Sequence, residues 1–337
     1  MMYNDKEFIP QNSLFFPETI ARLTIQELKK FRADSERVIM SGLPNIDKVM
    51  TPFRAGELIP VLGFTNNYKS AFMKTLATNA ASQLEDPKEA VIICSWEDSV
   101  EDAGIWDLAE MTHLDTTALD RGEFTDSDWK KLMDASMKRA DTPIYYIGHS
   151  DQDMRRRPRL SLAQVWQVLE HLYTKHGIQA RMIVLDYLQR IRPSTGRRDW
   201  RVSMMETVDI AKDMAIAFNV PVILGTQAGR KSRDLANPKM PMLEHAQETS
   251  NIEQSASKYF SLCLPIKTMF EGDVFDYAGR SFTVTKTLLL AALLKQKRGP
   301  APVYFAFDVD YTTHTLTPYT TSNPNQAYRA RMDEVVV

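Results

Sequence analysis

The chain has 337 residues, 44% of them hydrophobic and 25% charged, enough to bury a substantial core in one large or two modest domains. With 41 basic against 43 acidic residues, the formal charge of -2 excludes a uniformly basic nucleic-acid binder and leaves such contacts to local clusters. Cys94 and Cys263 both lie in apolar runs without C-x-x-C spacing, which fits reduced, buried thiols better than a zinc or disulfide framework; six scattered histidines suggest no metal site of their own.

The longest apolar run, residues 288–294, is far shorter than the roughly 20 residues of a membrane span, and Asp5, Lys6 and Glu7 interrupt any signal-peptide core. A cytoplasmic protein without membrane contact is expected. After a polar and aromatic start, Pro17-Glu18-Thr19-Ile20 opens a helical pattern with Ile20, Leu23, Ile25 and Leu28 apolar and Lys29, Lys30 and Arg32 near its end, as the helix dipole favours. Such a helix packs either on its own domain or on a neighbouring subunit.

The apolar run Leu58-Ile59-Pro60-Val61-Leu62 leads into Gly63-Phe64-Thr65-Asn66-Asn67-Tyr68-Lys69-Ser70, followed by an amphipathic helix expected over residues 70–84. Strand, loop and helix in this order form a phosphate-binding loop, in which backbone N–H groups and the helix N-terminus surround phosphates. In that pattern Gly63, Asn66, Asn67 and Tyr68 form the cradle, Lys69 reaches the β- and γ-phosphates, and the Ser70 hydroxyl holds magnesium. Tyr68 stands where the pattern has its second glycine, and its Cβ restricts the backbone there.

Ala90-Val91-Ile92-Ile93-Cys94-Ser95 reads as a buried parallel strand with Glu97 just beyond its end, where ligands gather in open α/β sheets. Glu97 there either polarises an attacking water or caps the next helix. Helices are expected over residues 100–111, near 116 and over 129–137, the last announced by Thr125-Asp126-Ser127-Asp128; a strand follows over 143–147 and a helix over 161–175. Between them Arg155-Arg156-Arg157-Pro158-Arg159 forms a basic loop that reads as a solvated insertion, a nucleic-acid contact being the alternative.

Met182-Ile183-Val184-Leu185-Asp186 is an apolar strand ending in an acid, the form of a Walker B carboxylate near magnesium. A basic loop with Arg190, Arg192, Arg197, Arg198 and Arg201 follows, then a helix over 202–218 and a strand, Val220 to Gln227, whose last side chain either senses the γ-phosphate or is an ordinary strand-end amide. Arg230, Lys231, Arg233 and Lys239 make a second basic loop; two such loops leaving one sheet edge form a surface for a phosphate backbone, solvation being the alternative. The remaining chain is read as a helical piece over 252–257, strands over 260–266, 286–294 and 302–307, and a tail after Tyr319. Lys295, Lys297 and Arg298 stand at a strand end, where the cations of a ring ATPase reach the γ-phosphate of a neighbouring subunit. Strands alternating with helices predict an α/β fold with a mostly parallel central sheet.

The ordered set Ser41-Gly42-Leu43-Pro44, Gly56-Glu57-Leu58, Lys69-Ser70, Ser95-Trp96-Glu97, Gly122 to Trp129, Asp186-Tyr187-Leu188-Gln189, Thr226-Gln227, Ser250-Asn251-Ile252-Glu253-Gln254 and Lys295 to Pro300 resembles the C-terminal RecA-like ATPase domain of DnaB-type replicative helicases. The resemblance covers residues 36–318, with 1–35 as an arm supplying a linker-like helix in place of a separate N-terminal helical domain and 319–337 as a flexible tail. It implies ATP and Mg2+ as cofactors, with Lys69 on phosphate, Ser70 and Asp186 on magnesium, Glu97 activating water, Gln227 as sensor and Lys295 and Lys297 acting in trans. Lys297, with Arg298 beside it, stands where the family has arginine, and lysine lacks the planar fork. A hexameric, DNA-stimulated ATPase translocating on single-stranded DNA through Arg197, Arg198, Arg201, Arg230, Lys231 and Arg233, with replication-type partner proteins, is the implied function. A non-hydrolysing DNA-binding scaffold of the same fold and a KaiC-like or RadA-like ATPase are the alternatives.

Overall fold

The computed structural model describes residues 16–33, 38–152, 159–193, 200–229, 235–246 and 249–319. The chain forms two compact units, residues 1–39 and 40–337. The first contains helix α1 (Pro17–Ala33), which begins at a proline with Glu18 in its first turn, both favourable at a helix N-terminus. Phe16, Ile20, Leu23, Ile25 and Leu28 are exposed.

The second unit opens with the single turn α2 (Pro44–Asp47) and then builds its sheet: β1 (Leu58–Gly63), α3 (Lys69–Ala81), β2 (Glu89–Ser95), α4 (Val100–Thr112), α5 (Thr116–Asp120), α6 (Asp126–Ala140) and β3 (Ile144–Ile147). It continues through α7 (Leu162–His176), β4 (Gln179–Asp186), α8 (Trp200–Ala217), β5 (Val222–Gln227), α9 (Thr249–Ser255) and β6 (Lys258–Cys263). The hairpin β7 (Val274–Tyr277) and β8 (Arg280–Thr283) precedes β9 (Leu288–Gln296), β10 (Val303–Asp310) and β11 (Thr315–Pro318). One nine-stranded sheet runs β11-β10-β9-β6-β1-β5-β4-β2-β3. From β3 to β6 every pairing is parallel; β9, β10 and β11 pair antiparallel. The α/β fold with a mostly parallel sheet is therefore as expected.

Parallel strands covered on both faces must be apolar throughout. Every residue of β1 and β6 is buried, as are five consecutive residues of β2 and of β5. Helix starts follow from local chemistry: Ser99 with Asp102, Thr125 with Asp128 and Ser161 with Gln164 close capping boxes on α4, α6 and α7. Some boundaries differ from expectation. Helix α3 stops at Ala81 because Gln83 and Leu84 bond back three residues to Ala80 and Ala81, tightening the last turn. Strand β6 stops at Cys263 because Pro265 has no N–H to donate and a 3-10 turn follows. Pairing with Lys258 carries β9 on to Gln296. The β7–β8 hairpin and β11 were not anticipated; Phe275 and Phe282 face each other across the hairpin with ring centroids 5.9 Å apart. Cys94 and Cys263 are buried and unpaired.

Candidate functional site: one edge of the parallel sheet

Strand register brings the motif ends together. Gly63 of β1 lies beside Gln227 of β5, and Ser95 of β2 lies beside Asp186 of β4. Because β5 separates β1 from β4, the loop after β1, Gln227, Asp186 and Glu97 leave one edge of four adjacent strands. Ligands bind at this carboxyl edge of open α/β sheets.

The loop after β1 is built and anchored. Asn66 (φ 57°) and Tyr68 (φ 64°) are both left-handed, the alternation in which successive N–H groups line a concave anion site. The buried Asn67 donates to the Thr65 carbonyl at 3.2 Å and accepts from the Leu264 amide at 2.7 Å, tying the loop to the end of β6. Tyr68 keeps the left-handed turn despite its Cβ. Its hydroxyl donates to the Asp310 carbonyl at 3.3 Å, and its ring meets Tyr311 edge-on at 5.8 Å and lies against His314 at 6.3 Å. The expected restriction is thus met by packing on the β10–β11 turn rather than by a different loop backbone.

Lys69 is buried, and its ammonium donates to the Phe64 carbonyl at 2.7 Å. Burial holds its pKa down to about 8, against opposing pulls from Asp186 and Glu97. Burial pushes the Asp186 carboxyl up to about 6, partly offset by a hydrogen bond with Ser70 and the charge of Lys69. Asp186 Oδ1 is buried without a hydrogen-bond partner. A buried orphan carboxylate oxygen beside a serine hydroxyl is a fit for a hard divalent cation, and Mg2+ is commonly held by one or two carboxylates together with substrate phosphates. Among the described residues no cluster of three or more His, Cys, Asp or Glu side chains can hold a metal. Ser70 and Asp186 are the residues that would hold such a cation, with phosphate and water as its further ligands.

Glu97 does not cap α4, since Ser99 and Asp102 do so. Its carboxylate lies instead 3.4 Å from the Arg190 guanidinium. Gln227 reaches the phosphate loop directly, its amide donating to Thr65 Oγ1 at 2.5 Å, while its backbone N–H donates to Gln189 Oε1 at 3.3 Å. A cleft of ≈ 770 Å³ opens beside Gln227 and the loop after β1, lined among others by Thr65, Asn66, Asn67, Gln227, Lys239 and Lys267.

The third cation group lies elsewhere. Lys258 of β6 pairs with Gln296 of β9, and the Lys297 amide donates to the Ser257 carbonyl. Since Gly63 pairs with Leu262 and Lys295 with Tyr259, these cations stand three to five residues back along the sheet, about 10–16 Å at roughly 3.3 Å per residue. Lys295 donates to the Glu253 carbonyl at 2.6 Å, and Lys297 and Arg298 are exposed. None of the three belongs to the edge that carries Lys69. Of the expected DNA contacts, Arg201 is exposed on α8, whereas Arg197, Arg198, Arg230, Lys231 and Arg233 lie outside the described residues, as do Arg155 to Arg157 and the tail beyond Tyr319.

Thr65 and Gly225 were missed by sequence reading. A Cβ on Gly225 would lie 2.8 Å from Met73 Cε, 2.9 Å from Tyr187 Cβ and 3.3 Å from Asp186 Oδ1, so this glycine makes room for the acid. Its signal was present: a glycine inside an apolar strand marks a close approach.

Comparison with known proteins agrees with this fold. The family model described as "DnaB-like helicase C terminal domain" matches residues 38–270. The replicative DNA helicase DnaC of Bacillus subtilis (strain 168) is 26% identical over 277 residues, covering 81% of this chain and 55% of the relative. The replicative DNA helicase DnaB of Geobacillus stearothermophilus is 26% identical over 275 residues with the same shares. The chain thus spans little more than half the length of these relatives. Two solved structures share the fold at TM-score 0.70: a DnaB-like replicative helicase described with its interactions with primase, at 17% identity over 88% of this chain and 66% of that one, and a structure of an ATPase domain, at 16% identity over 89% and 98%. The chain belongs to the DnaB-like helicase C-terminal domain family.

Proposed function

We propose that residues 36–318 form an ATP hydrolase stimulated by single-stranded DNA, which works in a cytoplasmic homo-oligomeric ring, hexameric as the resemblance implies, translocates on the strand and meets replication-type partners. The observation that carries this reading is the gathering of Lys69, Ser70, Asp186, Glu97 and Gln227 at one sheet edge beside an anchored loop. Lys69 exchanges the Phe64 carbonyl for phosphate oxygens, and Ser70 with Asp186 holds the cation. When bound, Mg2+ neutralises charge on the phosphate oxygens. Glu97 orients and polarises the attacking water, and Gln227, already bonded to Thr65, registers the γ-phosphate.

The sheet geometry favours sites completed between subunits. Lys295, Lys297 and Arg298 are remote from their own chain's loop, so they serve a neighbour's phosphate or none. Exposed apolar faces are present on α1 and, separately, on α6, where Trp129, Met133 and Met137 are exposed and Phe124 is stacked on Trp129. The basic stretches starting at Arg190 and Arg230 leave β4 and β5 at the nucleotide edge and supply the DNA contacts.

Binding of a fluorescent ATP analogue with Mg2+, measured beside steady-state turnover, tests the assignment. Lys69→Ala is expected to abolish both. Glu97→Gln is expected to keep binding and lose turnover by about 100-fold or more, the scale of general-base assistance. Unchanged binding and turnover in both variants would remove the ATPase assignment. Tyr68 favours a second reading, a scaffold with nucleotide bound and no hydrolysis, because its contacts with Asp310, Tyr311 and His314 tie the loop to β10–β11. Binding without turnover in the wild type would select it.

A further inference from the structure

The acid assigned to water is already engaged. Arg190 Nη2 lies 3.4 Å from Glu97 Oε1, while Arg190 Nε donates to the Tyr187 hydroxyl at 3.2 Å and the guanidinium carbon sits 6.0 Å from the Tyr187 ring centroid. Arg190 ends the one-turn 3-10 segment Leu188–Arg190 that follows Asp186. The same turn carries Gln189, whose Oε1 accepts from the Gln227 backbone N–H and whose Nε2 donates to Thr226 Oγ1 at 3.4 Å. One short turn therefore touches both Glu97 and Gln227, and the chain leaving it runs straight into the basic stretch with Arg192 and Arg201.

Two physical consequences follow for Glu97. A carboxylate that accepts from a guanidinium has its charge compensated and a lone pair occupied, and is a poorer acceptor for a proton from water. The pair is also weak: the two side chains are 39% and 48% exposed, and exposed ion pairs are screened and easily exchanged. A phosphodiester offered to the same planar fork satisfies it as well as the carboxylate does.

We propose that Arg190 is a positioning residue that holds Glu97 away from the attacking water until a phosphate of single-stranded DNA takes the guanidinium, so that the Arg190–Glu97 pair sets how strongly DNA stimulates hydrolysis. This rests on the ATPase reading above and adds its regulation. Tyr187 keeps the fork in place for either partner, and release of Arg190 shifts the turn whose Gln189 holds Gln227.

The test compares steady-state ATP turnover of wild type, Arg190→Met and Arg190→Lys, each with and without saturating oligothymidylate, beside thermal melting. Arg190→Met is expected to raise DNA-free turnover about fivefold, the most that an exposed pair supports, with KM for ATP unchanged and the ratio of stimulated to basal rate falling toward one. Arg190→Lys is expected to restore part of the ratio, and all three proteins are expected to melt together. Basal turnover in Arg190→Met equal to or below wild type, with the ratio intact, would overturn the proposal while leaving the ATPase reading standing. A wild type indifferent to DNA with a faster Arg190→Met would uphold the restraint and remove DNA as its release. Silence in both proteins would overturn the reading and the proposal together.

Discussion

Tyr68 stands at a position where glycine turns left-handed without cost, and the protein retains that turn with φ 64° and ψ 21°. A left-handed non-glycine residue costs roughly 1–2 kcal/mol. Two aromatic contacts, each worth about 0.5–1.5 kcal/mol, offset it. Tyr68→Gly removes cost and compensation together, whereas Tyr68→Ala removes only the compensation. Urea unfolding should therefore find Tyr68→Gly near wild type and Tyr68→Ala less stable than Tyr68→Gly by about 1–2 kcal/mol. An alanine variant as stable as the glycine variant would show that the turn carries no strain. The departure from the family pattern at this position thus alters what holds the phosphate loop, while Asn66, Asn67 and Lys69 keep its shape.

Among the elements, β5 is decisive because it separates the phosphate-loop strand from the Asp186 strand. Gly225 lies beside Val61 on one side, one residue from the Leu185–Leu224 pair on the other, and leaves space for Asp186 and Tyr187 above it. Gly225→Ala is expected to cost about 1–3 kcal/mol in urea unfolding, the range for overpacking a tight site, and to weaken Mg2+-dependent ATP binding by displacing Asp186. Stability and affinity both unchanged would mean that Tyr187 moves aside freely. The parallel strands were legible because burial on both faces demands continuous apolar runs, as in Val91 to Cys94 and Met182 to Leu185. The hairpin β7–β8 was not legible: its pattern in Val274 to Tyr277 alternates exposed and buried over only four residues, too short to separate from loop. The position of Glu97 and Asp186 at one sheet edge was legible from the apolar strands that precede them. Thr65 and Arg190 escaped as partners because their contacts, to Gln227 and Glu97, join residues 162 and 93 positions apart, which no local spacing encodes.

At the scale of the whole molecule, the site described on one chain has an edge with Lys69, Asp186 and Glu97 and, about 10–16 Å away, a group of cations on the opposite edge. Head-to-tail association brings such unlike surfaces together and closes into a ring when the rotation permits. The described part contains no helix long and apolar enough to cross a membrane. Its family assignment rests on residues 38–270, and its parallel sheet, anchored loop and strand-end acids are the observations behind the proposal of ATP hydrolysis coupled to a DNA strand. Steady-state ATP turnover with and without single-stranded DNA, with Lys69→Ala as the blank, tests that coupling most directly. Turnover that rises with DNA and vanishes in Lys69→Ala is the predicted result; a rate indifferent to DNA, or one that survives the loss of Lys69, would contradict it.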